Sequence, residues 1–220
     1  WRMSKQSKPQ LHWSKVTSLL LCGEAFRRSD IMGEYLSPNV SSIGGRAVHK
    51  ANQTDFESKI ETGSLLALDD VKDVTRDAVN EIWDLEGARL LPQEATVGAK
   101  EIRGRTIDSS VRLSSAYHTH KAPSVVPARV ERPWVIRMPN HAYDLAGQID
   151  LEERPGSEIA DGGIRDWKTR ASSPRPWVAE RSLQLTVYAM AKTVVDKCAI
   201  PDVGLDFIIN LKREVKLDSQ

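Results

Sequence analysis

The chain has 220 residues and a formal net charge of +1, a size that suits one domain with a sizeable core. Its two cysteines, Cys22 and Cys198, are too far apart in sequence to indicate a disulfide framework or a zinc ribbon. No apolar run approaches the length of a membrane span, and Leu19-Leu20-Leu21 is too short for the core of a signal peptide. Together these features predict a soluble, intracellular protein.

The first half of the sequence predicts helices. Apolar residues at helical spacing predict four helices, over 15–27, 43–60, the segment between Gly63 and Gly87, and 93–120. We expect residues 1–12 to be a poorly ordered start and residues 28–42 to form a loop. Residues 13–220 should then form a single domain, of which 13–122 is the mainly helical part.

The pattern changes at Pro123, after which strands are expected. Short runs rich in β-branched residues predict strands at 125–126, 130–138, 143–151, 164–168 and 205–211. A helix with a regular apolar stripe is expected over 176–196, between the last two strands. Helices followed by strands, a helix and a strand predict an α/β or α+β fold around a mixed sheet, with the sheet core over 123–211.

Charge is distributed unevenly around the expected strands. From His141 to Asp161 there are six acidic residues and one basic residue, whereas from Arg165 to Arg181 there are five basic residues and two acidic ones. An acidic segment beside a basic one suits a metal site next to a track for a polyanion. Solvated faces of mixed charge explain either run equally well.

Two carboxylates and a lysine form the pattern that indicates chemistry. Alternate residues of a strand point to the same face, so Asp166 and Lys168 project together while Trp167 points into the core. Asp150, near the end of the preceding strand, reaches the same point if the two strands pair. Neighbouring carboxylates repel, and a divalent cation keeps both ionised. The alternative is an ordinary surface ion pair between Asp166 and Lys168.

Four short motifs occur in order along the chain: Gly45/His49, Gly147/Asp150, Asp166/Lys168 and Gln184/Tyr188. Their order and gaps resemble those of the PD-(D/E)XK nuclease superfamily, specifically its RecB-like branch of phage and bacterial exonucleases. Val130-Glu131 also resembles the acidic strand that precedes the first of the sheet motifs in that branch. The resemblance implies a restriction-endonuclease-like core, in which helices flank a mixed central sheet, with an additional N-terminal helical region.

The resemblance implies a catalytic centre. Asp150 and Asp166 would bind the catalytic metal, joined by His49 and by the backbone carbonyl of Trp167, and Lys168 would be the catalytic lysine. Hard oxygen ligands favour Mg²⁺ or Mn²⁺, and a histidine ligand suits Mn²⁺. For His49 the alternative is a helical histidine bonded to a neighbouring residue.

The resemblance also implies substrate contacts. Gln184 and Tyr188 would lie on the helix that flanks the cleft, where they contact DNA or support the metal ligands. Arg170, Arg175 and Arg181 are candidate contacts for phosphates. The alternatives are a surface pair at i and i+4 for Gln184 and Tyr188, and solvated positions for the three arginines.

These features predict a Mg²⁺- or Mn²⁺-dependent deoxyribonuclease in which a metal-activated water hydrolyses the phosphodiester bond. We expect an exonuclease for recombination, repair or phage DNA processing, in the cytoplasm of a bacterium or a phage-infected cell. A recombination or helicase partner would be another chain. One sub-branch holds an iron–sulfur cluster through four cysteines, and no cysteine follows Cys198, so we expect no cluster.

Two other interpretations remain open at this stage. One is a non-catalytic DNA-binding or scaffold module with a nuclease-like fold, and the other is an unrelated α/β domain with accidental motif matches. The sequence does not distinguish cleavage polarity, strand preference, or exonuclease from endonuclease action.

Overall fold

The computed structural model describes residues 8–155, 162–199, 202–212 and 214–220. Residues 1–7 of the expected poorly ordered start, and part of the turn after β3 (Asp144–Glu153), lie outside the described residues. None of the helices in the described part of the chain combines the length and the apolarity that a membrane span requires.

Helices dominate the first 120 residues, and one more crosses between two strands. Their bounds are α1 Trp13–Leu21, α2 Gly23–Phe26, α3 Val40–Thr62, α4 Leu68–Glu86, α5 Pro92–Val97, α6 Ala99–His120 and α7 Leu183–Asp196. A π-helical turn over Arg27–Ile31 follows α2, and a 3-10 turn over Ala122–Ser124 follows α6.

Six strands form one mixed sheet, which confirms the predicted fold class. Their bounds are β1 Gln10–His12, β2 Pro127–Ile136, β3 Asp144–Glu153, β4 Gly163–Arg170, β5 Asp202–Asn210 and β6 Val215–Ser219. Strand β3 pairs with β2 along one side, and on its other side with β1 at one end and β4 at the other. Strands β4 and β5 are parallel, with α7 as the crossover, and β6 pairs antiparallel with β5.

Helices cover both faces of the sheet. On one face, Val48 and Phe56 of α3 and Leu113 of α6 pack with Trp167 and Ile208 in a buried cluster. On the other face, Leu185 of α7 packs with three residues of β5, namely Leu205, Phe207 and Ile209. Because side chains alternate along a strand, Ile208 points to one layer of helices while Phe207 and Ile209 point to the other.

Strands β3 and β4 form a fork. Their pairing covers only Leu151–Glu153 with Gly163–Arg165, and the strands then separate. The regular alternation of β3 also breaks here, because Ile149 packs on the α7 side while Leu151 packs on the α3 side. Asp150 therefore lies at the point of separation, opposite Asp166 of β4. A gap in the middle of a sheet gives side chains access to backbone groups that would otherwise pair with a strand.

The N-terminal boundaries differ from those that the sequence predicts. Residues 10–12 pair with β3 instead of belonging to a poorly ordered start. The expected helix over 15–27 breaks at Cys22, whose backbone is extended. The expected loop over 28–42 contains the end of the π-helical turn, and α3 begins within it at Val40 because Asn39 caps its first turn.

Later boundaries also move. The expected helix over 93–120 divides at Gly98, whose φ of 100° ends a right-handed helix. The expected strand at 125–126 does not form, since these two residues connect the 3-10 turn to β2 without regular secondary structure. Helix α7 begins at Leu183 instead of residue 176, since residues 176–181 form turns and the Ser182 hydroxyl caps the helix. Strand β6 lies beyond the last strand that the sequence predicts.

Candidate metal centre and active site

Gly45 lets helix α3 approach strand β4. A Cβ at this position would lie 3.0 Å from Oγ1 of Thr169, so a larger residue would require the threonine side chain or the helix to shift. His49 lies one turn further along α3 and reaches the same strand, where its Nε2 is 2.8 Å from the carbonyl oxygen of Trp167. The Gly-x-x-x-His spacing thus corresponds to one close helix–strand contact followed by one hydrogen bond.

Gly147 has a comparable role on β3. It pairs with Trp134 of β2, and a Cβ at Gly147 would lie 2.4 Å from the indole ring. The buried indole packs against Ile149 and Tyr188, in the cluster under α7. Gly147 therefore leaves the space that Trp134 fills, three residues before Asp150.

Asp150 bonds across the fork. Its Oδ2 accepts a hydrogen bond of 3.0 Å from the backbone N–H of Trp167, and the same oxygen lies 3.4 Å from Nδ1 of His49. Burial raises the pKa of the Asp150 carboxyl, and the hydrogen bond from Trp167 opposes that rise. The carboxylate is thus held in a site that disfavours its charge, where a cation would stabilise it.

The hydrogen bonds of His49 indicate where that cation would bind. A carbonyl oxygen only accepts hydrogen bonds, so Nε2 of His49 carries the proton that it donates to Trp167. In the neutral ring Nδ1 then presents a lone pair to Oδ2 of Asp150, and two acceptors 3.4 Å apart repel each other. Burial lowers the pKa of His49, which disfavours a second proton between them. A metal ion satisfies both acceptors.

Glu131 completes this group, which the sequence did not assign to the metal. Candidate ligand atoms of His49, Glu131 and Asp150 all lie within 4.8 Å of one another. Burial, followed by the charges of Asp150 and Asp166, raises the pKa of Glu131 to about 7. The signal for Glu131 in the sequence was its place in an acidic strand, and its neighbours in β2 pair on either side of Asp150.

Asp166 is held by two neighbouring side chains. Its Oδ2 lies 2.5 Å from Nζ of Lys168, and its Oδ1 accepts a hydrogen bond of 2.9 Å from Nε2 of Gln184. Burial and the charge of Asp150 raise the pKa of Asp166 to about 6. The same Gln184 nitrogen donates to the hydroxyl of Tyr188, a buried residue one turn further along α7. The Gln-x-x-x-Tyr pair thus orients Asp166 from the helix side.

Trp167 lies in the core, as the strand parity predicts, and its ring stacks on Phe56. Its Nε1 donates to the hydroxyl of Tyr117, which in turn donates to Oδ2 of Asp206. Because this buried chain fixes the indole, it also fixes the Trp167 backbone N–H and carbonyl that bond to Asp150 and His49.

A cleft of about 460 Å³ opens beside the cluster. It is lined by Gly45, Arg46, His49, Lys50, Gln53, Glu131 and Gln148. Nε2 of Gln148 donates to the backbone carbonyl of Glu131, whose φ of 46° is in the left-handed region that non-glycine residues rarely adopt. The cleft is therefore lined both by the basic side chains of Arg46 and Lys50 and by His49 and Glu131 of the candidate metal site.

Of the three candidate phosphate contacts, Arg170 ends β4, and Arg175 and Arg181 lie in the segment between β4 and α7. The guanidinium of Arg170 is 5.3 Å from the centre of the Phe207 ring. Those of Arg175 and Arg181 lie 5.6 and 5.9 Å from the ring centre of Trp177, a residue that the sequence did not single out. No distance places these arginines against the acidic cluster, so their role remains a prediction.

Comparisons with known proteins agree with this geometry at the level of the family. A model of the PD-(D/E)XK nuclease superfamily matches residues 11–204 of the chain. Curated protein sequences give no significant match. The crystal structure of SSO0001 aligns with 93% of this chain and 76% of its own, at 13% sequence identity and a TM-score of 0.32. The family match spans all four motifs.

Proposed function

The chain belongs to the PD-(D/E)XK nuclease superfamily, and from this premise we propose that it is a metal-dependent deoxyribonuclease of the RecB-like branch. The observation that carries the proposal is the approach of Nδ1 of His49 to Oδ2 of Asp150, two acceptors with Glu131 beside them. Carboxylate oxygens with one imidazole form a ligand set that suits Mg²⁺ or Mn²⁺.

The proposed roles follow from the contacts. His49, Glu131 and Asp150 would hold the metal, and Asp166 would join them if Lys168 moves from its carboxylate to the substrate. The bound ion would supply Lewis-acid stabilisation of the scissile phosphate and lower the pKa of a nearby water. The ammonium of Lys168 would stabilise the negative charge that develops on the phosphate oxygens.

Other parts of the proposal rest on the motifs and on charge. Gln184 keeps Asp166 in place, and Arg170, Arg175 and Arg181 would contact phosphates along the bound strand. The RecB-like order of motifs supports an exonuclease for recombination, repair or phage DNA processing, acting with a separate recombination or helicase protein. We further propose that residues 13–220 act as one nuclease domain in the bacterial or infected-cell cytoplasm.

An end-labelled linear duplex and a closed circular plasmid test this function together. We expect Mg²⁺ or Mn²⁺ to support release of labelled nucleotides from the linear DNA, EDTA to abolish it, and the closed circle to survive. Asp150→Asn should lose activity, whereas the control Asp69→Asn, an exposed residue of α4, should keep it. Cutting of the closed circle would contradict exonuclease action. DNA binding without any cleavage would favour a scaffold module instead.

A further inference from the structure

Trp177 is exposed between two arginines. Its side chain is the largest of any residue type, yet 42% of the residue is accessible to solvent. The guanidinium groups of Arg175 and Arg181 lie within 6 Å of its ring centre. Among the residues that the structure describes, neither arginine forms an ion pair with a carboxylate, so both positive charges are available to a ligand.

The segment that carries Trp177 is fixed to the core. Val178 and Ala179, the next two residues, pack against Leu185 and Phe207. The backbone N–H of Val178 donates to the carbonyl of Arg175, and that of Ser182 donates to the carbonyl of Ala179. These contacts hold the indole on consecutive turns, so its exposure is built into the fold and is present before any ligand binds.

The two ends of this segment meet at the acidic site. The segment begins after β4, which carries Asp166 and Lys168, and it ends at α7, which carries Gln184. The hydrogen bond from Gln184 to Asp166 joins the two ends. A strand of nucleic acid that leaves Lys168 along this connection would therefore meet an aromatic ring accompanied by two cations.

We propose that Trp177, with Arg175 and Arg181, forms a stacking site for an unpaired nucleobase, so that the substrate enters as single-stranded DNA. This inference rests on the proposed nuclease function. An aromatic face binds a base of any identity. Because the guanidinium groups of Arg175 and Arg181 lie over the Trp177 ring, a stacking base would take the place of one of them, which would then bind a flanking phosphate. Bases inside a duplex are stacked on both faces, and the paired terminal bases of a blunt end expose one face only without being free to move out of the helix. The site therefore selects a separated strand over a blunt duplex end.

Binding measured in Ca²⁺, without cleavage, tests this proposal on the whole chain. Fluorescence anisotropy would follow three probes: a labelled single strand, the same sequence as a blunt duplex, and a single strand with consecutive abasic sites. We expect Trp177→Ala to weaken binding of the normal single strand by about tenfold, the loss typical of one stacked base. Its affinity for the duplex and for the abasic strand should change by less than about twofold.

Two further variants serve as controls. Trp177→Phe keeps an aromatic face and should retain most of the affinity for the single strand. Tyr35→Ala removes another exposed aromatic residue, one that lines a separate cavity with Cys22 and Arg89, and should leave binding unchanged. Circular dichroism would establish that each variant folds.

The outcomes separate this inference from the proposed function. Equal loss of duplex and single-strand affinity in Trp177→Ala, or no loss of either, overturns the stacking site even if the wild-type protein cleaves DNA. Absence of cleavage by the wild type in Mg²⁺ and Mn²⁺ overturns the nuclease proposal instead, while selective loss of single-strand binding would still support the stacking site.

Discussion

At the residue scale, Lys168 and Asp166 form an ion pair, in which the lysine neutralises the carboxylate that the metal needs. Nζ of Lys168 lies 2.5 Å from Oδ2 of Asp166, and Gln184 donates a hydrogen bond to Oδ1, the other oxygen of the same carboxylate. Metal and substrate would redistribute these contacts, releasing the ammonium toward a phosphate. The two residues should therefore respond differently to substitution.

We predict that Asp166→Asn loses both metal affinity and cleavage, whereas Lys168→Ala keeps metal affinity and loses cleavage by about a hundredfold or more. The lysine variant even removes a positive charge that competes with the ion. Titration calorimetry with Mn²⁺ beside a nuclease assay measures both effects, and Lys72→Ala, on the exposed face of α4, is the control. Cleavage by Lys168→Ala at the wild-type rate would mean that the lysine is structural.

Glu131 leads to a prediction about pH. Its pKa of about 7 and that of Asp166, about 6, mean that both carboxyls take up protons as the pH falls from 8 to 6 in the metal-free protein. Protons then compete with the cation, so Mn²⁺ affinity should fall over this range. Glu131→Gln should bind Mn²⁺ more weakly at pH 8 and show a shallower dependence on pH. Equal slopes for the variant and the wild type would remove Glu131 from the metal site.

At the scale of elements, two glycines set the distances between the parts of the site. Gly45 sets the distance from α3 to β4, and Gly147 accommodates the indole of Trp134 between β2 and β3. Both glycines belong to the sequence motifs, although a residue without a side chain cannot itself hold a metal or a substrate through one. Their presence is explained by packing that brings His49 and Asp150 to the fork.

We predict that Gly147→Ala lowers the free energy of unfolding by roughly 1–3 kcal/mol, because the new methyl group would overlap the buried Trp134 ring. Gly104→Ala is the matched control, since nothing lies within 4 Å of a Cβ at that helical position. That change should stabilise α6 by about 0.5–1 kcal/mol. Urea denaturation of both variants measures the difference. Equal stability of Gly147→Ala and the wild type would show that the sheet adjusts to the methyl group without loss.

At the scale of the whole molecule, the buried acids oppose the stability of the fold. A carboxyl whose folded pKa lies above its unfolded value favours folding fully below the unfolded value, and this contribution disappears as the pH rises through the folded pKa. For Asp166 these values are about 6 and 3.8. The metal-free protein should therefore be less stable at pH 8 than it would be without this charge.

We predict that Asp166→Asn in EDTA is more stable than the wild type at pH 8 by roughly 1–3 kcal/mol, and that the difference disappears near pH 4. Saturating Mn²⁺ should reverse the order, because only the wild type binds the ion strongly. Urea denaturation at the two pH values provides the measurement. A less stable variant at pH 8 in EDTA would mean that the contact with Lys168 outweighs the cost of burying Asp166.

The sequence predicted the mixed fold because helical spacing in its first half and β-branched runs in its second half are strong local patterns. It located the four motifs and the Val130-Glu131 strand, but it did not assign Glu131 to the metal, since the position of Glu131 beside Asp150 follows only from the register of β2 with β3. It also missed β6, whose alternation of Val215 and Leu217 with charged residues is short. Contacts between distant segments, such as that of Tyr117 with Asp206, leave no local pattern.

The fork between β3 and β4 gives one backbone amide an unusual neighbour. In an ordinary sheet the N–H of Trp167 would exchange with solvent only when strands part, but here its partner is the side chain of Asp150. The rate of hydrogen–deuterium exchange at this N–H thus depends on the strength of its hydrogen bond to the Asp150 carboxylate. Binding of a cation at Asp150 would change that rate without moving a strand, so a single amide signal reports occupancy of the site.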